Sequence, residues 1–453
     1  TDALGHAPTR YEYDWALGQV LTVTTPNGAA TATSYRYDQF GRLTQVIKPG
    51  DSESMPTVKV QYCDTCRPYS STVSTIFQYS SGALGYTHLL RFYNGLGQLI
   101  QEDLAPTTYP REAPYTSELR VTNYRYNAQG LQERAYVPYT YATSGVAVYI
   151  TPTSTLSTTY AYDALGRVTS AKGPDGKAVR TYYRWLDDGS ERAVIDENNH
   201  QRIEVSDPFG RLVQVKEYTG GYTTTVGWEE DPYATTTYGY NRLDLLTDVT
   251  DTVGSNTHID YDAMGHKMGM VDPDLGAWEY LYDGASNVIS QTDASGTSIC
   301  FCYDALNRLV GKDYNCDGSC SPDVDADVEY SYDGTSGGNL GIGHRTGMVD
   351  PSGSTAWKYD NRGRVISETK RIGTDTFWTQ WAYTRRDEIW KQTYPGGNAG
   401  QAGETVSTAY GMWGQPTLLT TTLNVNTPYV GKALPDATGR LDLLKYGPDA
   451  GAM

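Results

Sequence analysis

A nine-residue pattern recurs along the chain, and it constrains the fold more than any other feature. Its clearest copies are Tyr35-Arg36-Tyr37-Asp38-Gln39-Phe40-Gly41-Arg42-Leu43 and Tyr160-Ala161-Tyr162-Asp163-Ala164-Leu165-Gly166-Arg167-Val168. Twelve weaker copies are anchored at Asp14, Asn94, Asn127, Asp207, Asn241, Asp262, Asp283, Asp304, Asp333, Asp360, Thr384 and Gly411. The anchors Asn241, Asp262, Asp283 and Asp304 follow one another at intervals of 21 residues, and longer intervals elsewhere mark loop insertions. Self-similarity at such a period is the signature of a repeat architecture.

Each copy reads as a β-hairpin. Tyr-x-Tyr puts both rings on one face of a strand, because side chains alternate. The Asp carboxylate accepts a backbone hydrogen bond two residues on, and Gly41 or Gly166 supplies a positive φ, so the chain reverses. Arg-Leu-x-x-Val then resumes an extended strand. A second turn separates the hairpins: Val271-Asp272-Pro273-Asp274-Leu275-Gly276 and Val349-Asp350-Pro351-Ser352-Gly353 are close relatives. Turns about every ten residues, without a sustained 3.6-residue period, predict an all-β protein. One hairpin cannot bury its aromatic face alone, so the hairpins must form one continuous, strongly curved sheet. Fourteen equivalent anchor positions, nine of them Asp, are architectural in the first instance. An open sheet also leaves edge strands, which predicts self-association or edges covered by insertions.

Composition fits this. Of 453 residues, 39 are Tyr and only 6 are Phe. Tyr pairs an apolar body with a polar tip, which fits a wall wet on both faces. A net charge of −17 argues against a phosphate-backbone binder, which needs Lys and Arg. No apolar run nears the roughly 18 residues of a membrane helix, the longest candidate being Val146 to Ile150. No secretion signal opens the chain, which starts at Thr1 and is read as a fragment or processed piece.

These motifs resemble the YD-repeat, or Rhs-repeat, family, whose pattern is Tyr-x-Tyr-Asp-x-x-Gly-Arg-Leu with Asp-Pro-x-Gly turns between copies. The resemblance covers roughly residues 1 to 445. It extends to bacterial Rhs polymorphic toxins, the encapsulating components of Tc toxin complexes and the extracellular part of teneurins. It implies a β-sheet spiralling into a hollow shell or barrel, with a toxic domain inside in the toxins. The self-cleavage motif that ends the toxin shells has no clear match before Leu441-Asp442-Leu443-Leu444-Lys445-Tyr446-Gly447-Pro448. Asp272-Pro273 and Asp350-Pro351 sit in ordinary repeat turns and are not given that role. The expectation is a shell segment over residues 1–446, with insertions near 47–91, 101–123, 131–159 and 310–329 and a tail at 447–453. It would belong to a secreted or cell-surface bacterial protein and enclose a polypeptide cargo, its partners being the rest of a larger shell or the cargo itself. The alternative is an adhesion or carbohydrate-binding module, with glycans or a surface protein as partner. A hydrolase with a site in an insertion is the third reading.

Few residues carry chemistry beyond the scaffold. Cys63 and Cys66 have C-x-x-C spacing but lie in a β insertion, where a local disulfide or half a metal site fits better than redox catalysis. Cys300, Cys302, Cys316 and Cys320 allow two disulfides, free thiols or a zinc site, and disulfides are favoured outside the cell. Asp313, Asn315, Asp317 and Ser319 match the start of a calcium loop. The Glu expected at the twelfth position is replaced by Val324, with Asp323, Asp325 and Asp327 nearby. Calcium is the one candidate cofactor. Gly334-Thr335-Ser336-Gly337-Gly338 spells G-x-S-x-G without the strand-turn-helix setting of a nucleophile elbow. The histidines are scattered, and no catalytic residue is singled out. Trp378, Trp381 and Trp390 are candidates for a glycan or partner surface, against the plainer expectation of packing between strands.

Overall fold

The computed structural model describes residues 1–78, 84–106, 117–143, 149–152, 156–222, 226, 228, 230–316, 326–397, 400–411, 414–423, 428–436 and 438–447. Among the described residues the fold is an antiparallel sheet of thirty-five strands, and the only helical elements are two 3₁₀ turns, Ala29–Thr31 and Ser336–Gly338. Among the described residues no helix is long and apolar enough to cross a membrane.

The local chemistry read from the sequence builds each hairpin. Strand Thr33–Tyr37 pairs with Leu43–Ile47 across the Asp38 turn. Gly41 N–H donates to the Asp38 carbonyl at 3.0 Å, and Asp38 N–H donates to the Arg42 carbonyl at 3.0 Å. Gly41 sits at φ 74°, which only Gly adopts without strain. A β-bulge falls beside the Tyr that precedes the anchor, at Tyr37, Tyr162, Tyr240, Tyr261, Tyr282 and Tyr303. The extra residue twists the strand into the turn. Where Gly is missing, Asp244, Ser286, Asn307 and Asp387 take the left-handed place, as short polar side chains do most readily.

The chain divides into two compact units. The first comprises Thr1–Tyr124, Tyr136–Thr155 and Val328–Met453; the second comprises Arg125–Ala135 and Leu156–Asp327. The apolar cores are small. In the first unit Leu119, Val121 and Ile150 are buried together, with Leu90 and Tyr139 against them. In the second, Ala193, Ile203 and Tyr218 form the cluster, and Tyr222, Val226 and Trp228 pack onto it. Tyr218, Tyr222, Val226 and Trp228 thus cover one face of the second unit's sheet. This stretch is an insertion that repeat spacing alone did not mark as a cover.

Strand direction alternates, so every unit has two turn edges. The Tyr-Asp turns lie along one, here called the motif edge. The turns between hairpins, such as Asp251–Ser255 and Asp272–Gly276, lie along the other, the return edge.

Candidate functional site: an interlocked wall and a polar seam

The repeat residues lock each hairpin to the one before it. Asp38 Oδ1 accepts from the N–H groups of Phe40 at 2.9 Å and Arg42 at 3.0 Å, while Oδ2 accepts from Arg42 Nε at 2.8 Å. Asp163 with Arg167, Asp207 with Arg211, Asp304 with Arg308 and Asp360 with Arg364 repeat the bracket. Burial pushes the Asp38, Asp163, Asp207 and Asp304 carboxyls up, but hydrogen bonds from the Arg backbone and side chain outweigh it and hold them below the usual range. The Arg held this way lies over a Tyr of the next strand pair: Arg42 over Tyr62 at 4.2 Å, Arg167 over Tyr183 at 4.0 Å, Arg364 over Tyr383 at 4.5 Å.

The Tyr hydroxyl closes the lock. Tyr37 donates to the Val20 carbonyl at 2.9 Å, Tyr240 to Leu212 at 2.7 Å, Tyr261 to Leu246 at 2.9 Å, Tyr282 to Lys267 at 3.0 Å and Tyr303 to Val288 at 2.9 Å. Tyr162, Tyr359, Tyr383 and Tyr410 do the same. The acceptor is the carbonyl at the start of the preceding hairpin's second strand. Burial raises the pKa of Tyr37, Tyr162, Tyr282, Tyr303 and Tyr383, so they stay protonated donors. This corrects the reading of the Tyr excess as a sign of two wet faces. At these positions the hydroxyl is there to reach a backbone acceptor that Phe leaves unpaired.

Four of the six histidines fall into the same lattice. His200 and His266 stand four residues after Asp196 and Asp262, in the Arg place, with Nδ1 at 3.1 and 2.8 Å from the carboxylates; His6 stands likewise to Asp2 at 2.9 Å. His266 stacks on Tyr282 at 4.6 Å and His344 on Tyr359 at 4.4 Å. They substitute for the cation-on-ring contact. The Asp at i−4 was legible in the sequence and was not used.

In the first unit, the motif edge of residues 341–387 meets the return edge of residues 26–51. Arg362 takes the third turn position, where Phe40 and Leu165 stand in other copies. It donates to the Pro49 carbonyl at 2.9 Å, Asp51 Oδ2 at 2.9 Å, the Arg385 carbonyl at 2.9 Å and Asp387 Oδ1 at 3.1 Å. Its side chain is 6% exposed and that of Asp51 0%. Arg385 also pairs with Asp51, and Lys48 Nζ lies 2.8 Å from Asp387. Asn27 and Ile342 exchange two hydrogen bonds, at 2.8 and 3.0 Å. Burial raises Asp387, but bonds from Lys48 and Arg362 pull it below the usual range. A cavity of about 530 Å³ lies beside the seam, lined by Thr25, Thr31, Lys48, His344 and Arg362 among others. A second of about 720 Å³, in the second unit, is lined by Arg192, His200, Arg202, Glu204 and Tyr233 among others, and Glu204 pairs with both Arg residues.

A buried polar network in the first unit was not foreseen. Asp103 is fully buried and receives Gln101 Nε2 at 2.8 Å on both oxygens; Gln101 Oε1 accepts from Asn123 Nδ2 and from Ile150 N–H. Burial pushes the Asp103 carboxyl up to about 7, partly offset by the Gln101 bond, with Glu102 adding a small rise.

The remaining candidate residues separate. Cys63 and Cys66 form a disulfide in the turn between Val58–Cys63 and Tyr69–Gln78, and Arg42 grips Asp64 inside it at 2.7 and 2.9 Å. Cys300 is joined to Cys316, and Cys302 is also disulfide-bonded. Cys63, Cys66, Cys300, Cys302 and Cys316 thus all stand in disulfides. Cys320, Asp317, Ser319, Asp323 and Asp325 lie outside the described residues. Of the calcium candidates, Asp313 is buried and accepts from Asn315 N–H at 2.8 Å. Among the described residues, no three His, Cys, Asp or Glu side chains gather as a metal site. Trp378 and Trp381 occupy one regular strand, Asp375–Tyr383, three residues apart, and so face opposite sides of the sheet.

Comparison with known proteins agrees with this geometry. The RHS Repeat family pattern matches residues 15–53 and 146–178. Double-stranded DNA deaminase toxin A of Burkholderia cenocepacia (strain H111) is 26% identical over 180 residues, which is 37% of this chain and 11% of that protein. The crystal structure of TcdB2-TccC3 superposes with a TM-score of 0.78 at 16% identity, over 98% of this chain and 26% of that one. A Tc holotoxin pore from Photorhabdus luminescens matches with a TM-score of 0.77 at 14% identity, over 97% of this chain and 27% of that one. The chain therefore spans about a quarter of the solved structures it matches and about a tenth of the curated relative. The chain thus carries the RHS Repeat pattern at residues 15–53 and 146–178, within interlocked Tyr-Asp-Arg hairpins, and shares the fold of TcdB2-TccC3.

Proposed function

We propose that the chain is a wall segment of a larger shell, in a secreted toxin-like protein, that encloses a polypeptide cargo. The observation that carries this is the fold likeness to TcdB2-TccC3 over 98% of the chain. The repeat chemistry supports it. Asp, Arg and Tyr, the residues most available for catalysis, are spent on holding hairpins together, and this favours a structural role over an enzymatic one. The partners are then the remainder of the shell and the cargo. Calcium at Asp313, Asn315 and Asp317 belongs to the same reading as a loop brace, supported by their spacing; a melting temperature that chelator leaves unchanged rejects it.

The test is protease digestion of the full-length natural product carrying a cleavable tag in the polypeptide it encloses. A wall protects the tag until the shell is denatured. Cleavage at the rate of the free polypeptide rejects the proposal.

A further inference from the structure

The third position of the Tyr-Asp turn has two fates in this molecule. In the first unit, Arg362 at this position is buried in the return edge of a strand pair 311 residues earlier in sequence. In the second unit, three successive motif-edge turns carry Phe209, Leu243 and Met264 there, exposed at 82, 59 and 77%. The return edge of the same sheet presents Val253 and Leu275, exposed at 84 and 59%. Large apolar side chains standing in line along an edge mark a contact surface more than isolated ones do.

The two edges match in spacing as well as polarity. Leu243 and Met264 are two strands apart, as are Val253 and Leu275, so each pair is separated by about 10 Å. The seam of the first unit demonstrates that a motif edge seats on a return edge in this fold. There the contact is Arg on Asp and carbonyl; in the second unit apolar tips face outward on both edges.

We infer that Phe209, Leu243 and Met264 form a docking edge for the apolar return edge of a second Rhs-repeat sheet, a role that a second copy of this chain fills through Val253 and Leu275. The contact joins two different surfaces, so it is head-to-tail. It rests on the reading of the chain as part of a larger wall, but it is tested without cargo, so the two fail separately.

The experiment is analytical ultracentrifugation of three proteins. One is the unaltered chain. One carries Phe209→Glu with Met264→Glu, and one carries Val253→Glu with Leu275→Glu. Circular dichroism and melting confirm that each is folded, which substitutions at exposed turn tips permit. The unaltered chain is expected to gain mass with concentration, each variant alone to remain monomeric, and an equimolar mixture of the two variants to form a one-to-one dimer and nothing larger. An unaltered chain that stays monomeric, a variant that associates as before, a mixture that stays monomeric, or apolar tips that bind lipid vesicles instead, each overturns the inference.

Discussion

The seam of the first unit and the turn tips of the second use one backbone design for opposite ends. At Arg362 the third turn residue is buried among Pro49, Asp51, Arg385 and Asp387, and the side-chain hydrogen bonds it makes there go to acceptors fixed by other turns. At Phe209 the same turn, with the same Asp-Arg bracket, points its third residue into solvent. The turn geometry is indifferent to this residue, so the position is free to specify what the edge meets. The repeat builds the wall, and the tips decide how it stacks.

The largest effect should come from breaking the seam. Asp51→Ala leaves buried Arg362 with Asp387 as its one remaining carboxylate among the contacts above, and removing one partner of a buried pair costs about 3–5 kcal/mol. Hydrogen exchange should show the loss in the first unit and leave the second unit's protection unchanged. A loss below about 1 kcal/mol returns the seam to the class of surface ion pairs.

Next comes Asp103. Its folded-state pKa of about 7 lies above the ordinary carboxyl value of 3.8, so the folded chain binds the extra proton between those values. Its contribution is present in full below about 4, declines as pH rises, and is gone above about 7. Asp103→Asn should flatten that decline and melt higher than the unaltered chain at pH 8. Parallel pH profiles for the two proteins contradict this.

A single lock is smaller. Tyr303→Phe or Tyr282→Phe removes one hydroxyl donor and should cost about 1 kcal/mol in denaturant unfolding, with Phe replacements at several repeats adding up where the sites are well separated. Tyr11 and Tyr13, both exposed, should tolerate Phe with no measurable change. Smallest of all, Phe209→Ser should shift stability by less than about 0.5 kcal/mol, in contrast to Arg362, which occupies the equivalent position.

Much of the hairpin lattice was legible because its determinants are local. Asp38 and Gly41 make their turn within five residues, and the period shows in the sequence. The Tyr bond was half legible: the hydroxyl excess was plain, but its acceptors are backbone carbonyls, which no residue type marks. The seam was hidden because Asp51 and Arg362 are far apart in sequence, and an Asp after Pro49-Gly50 reads as one more turn residue. Trp378 and Trp381 show the limit of closeness in sequence, since strand alternation sets them on opposite faces. The disulfide of Cys63 and Cys66 was among the expected alternatives, although nothing in C-x-x-C spacing by itself chooses a bond over a metal.

The most direct measurement joins the seam to the wall's purpose. In the full-length natural product, protease cleavage of the enclosed polypeptide is compared between the unaltered protein and Asp51→Ala, at a temperature where both remain folded. The account predicts protection in the first and faster cleavage in the second, because opening the seam opens the wall. Equal cleavage rates in the two proteins contradict it.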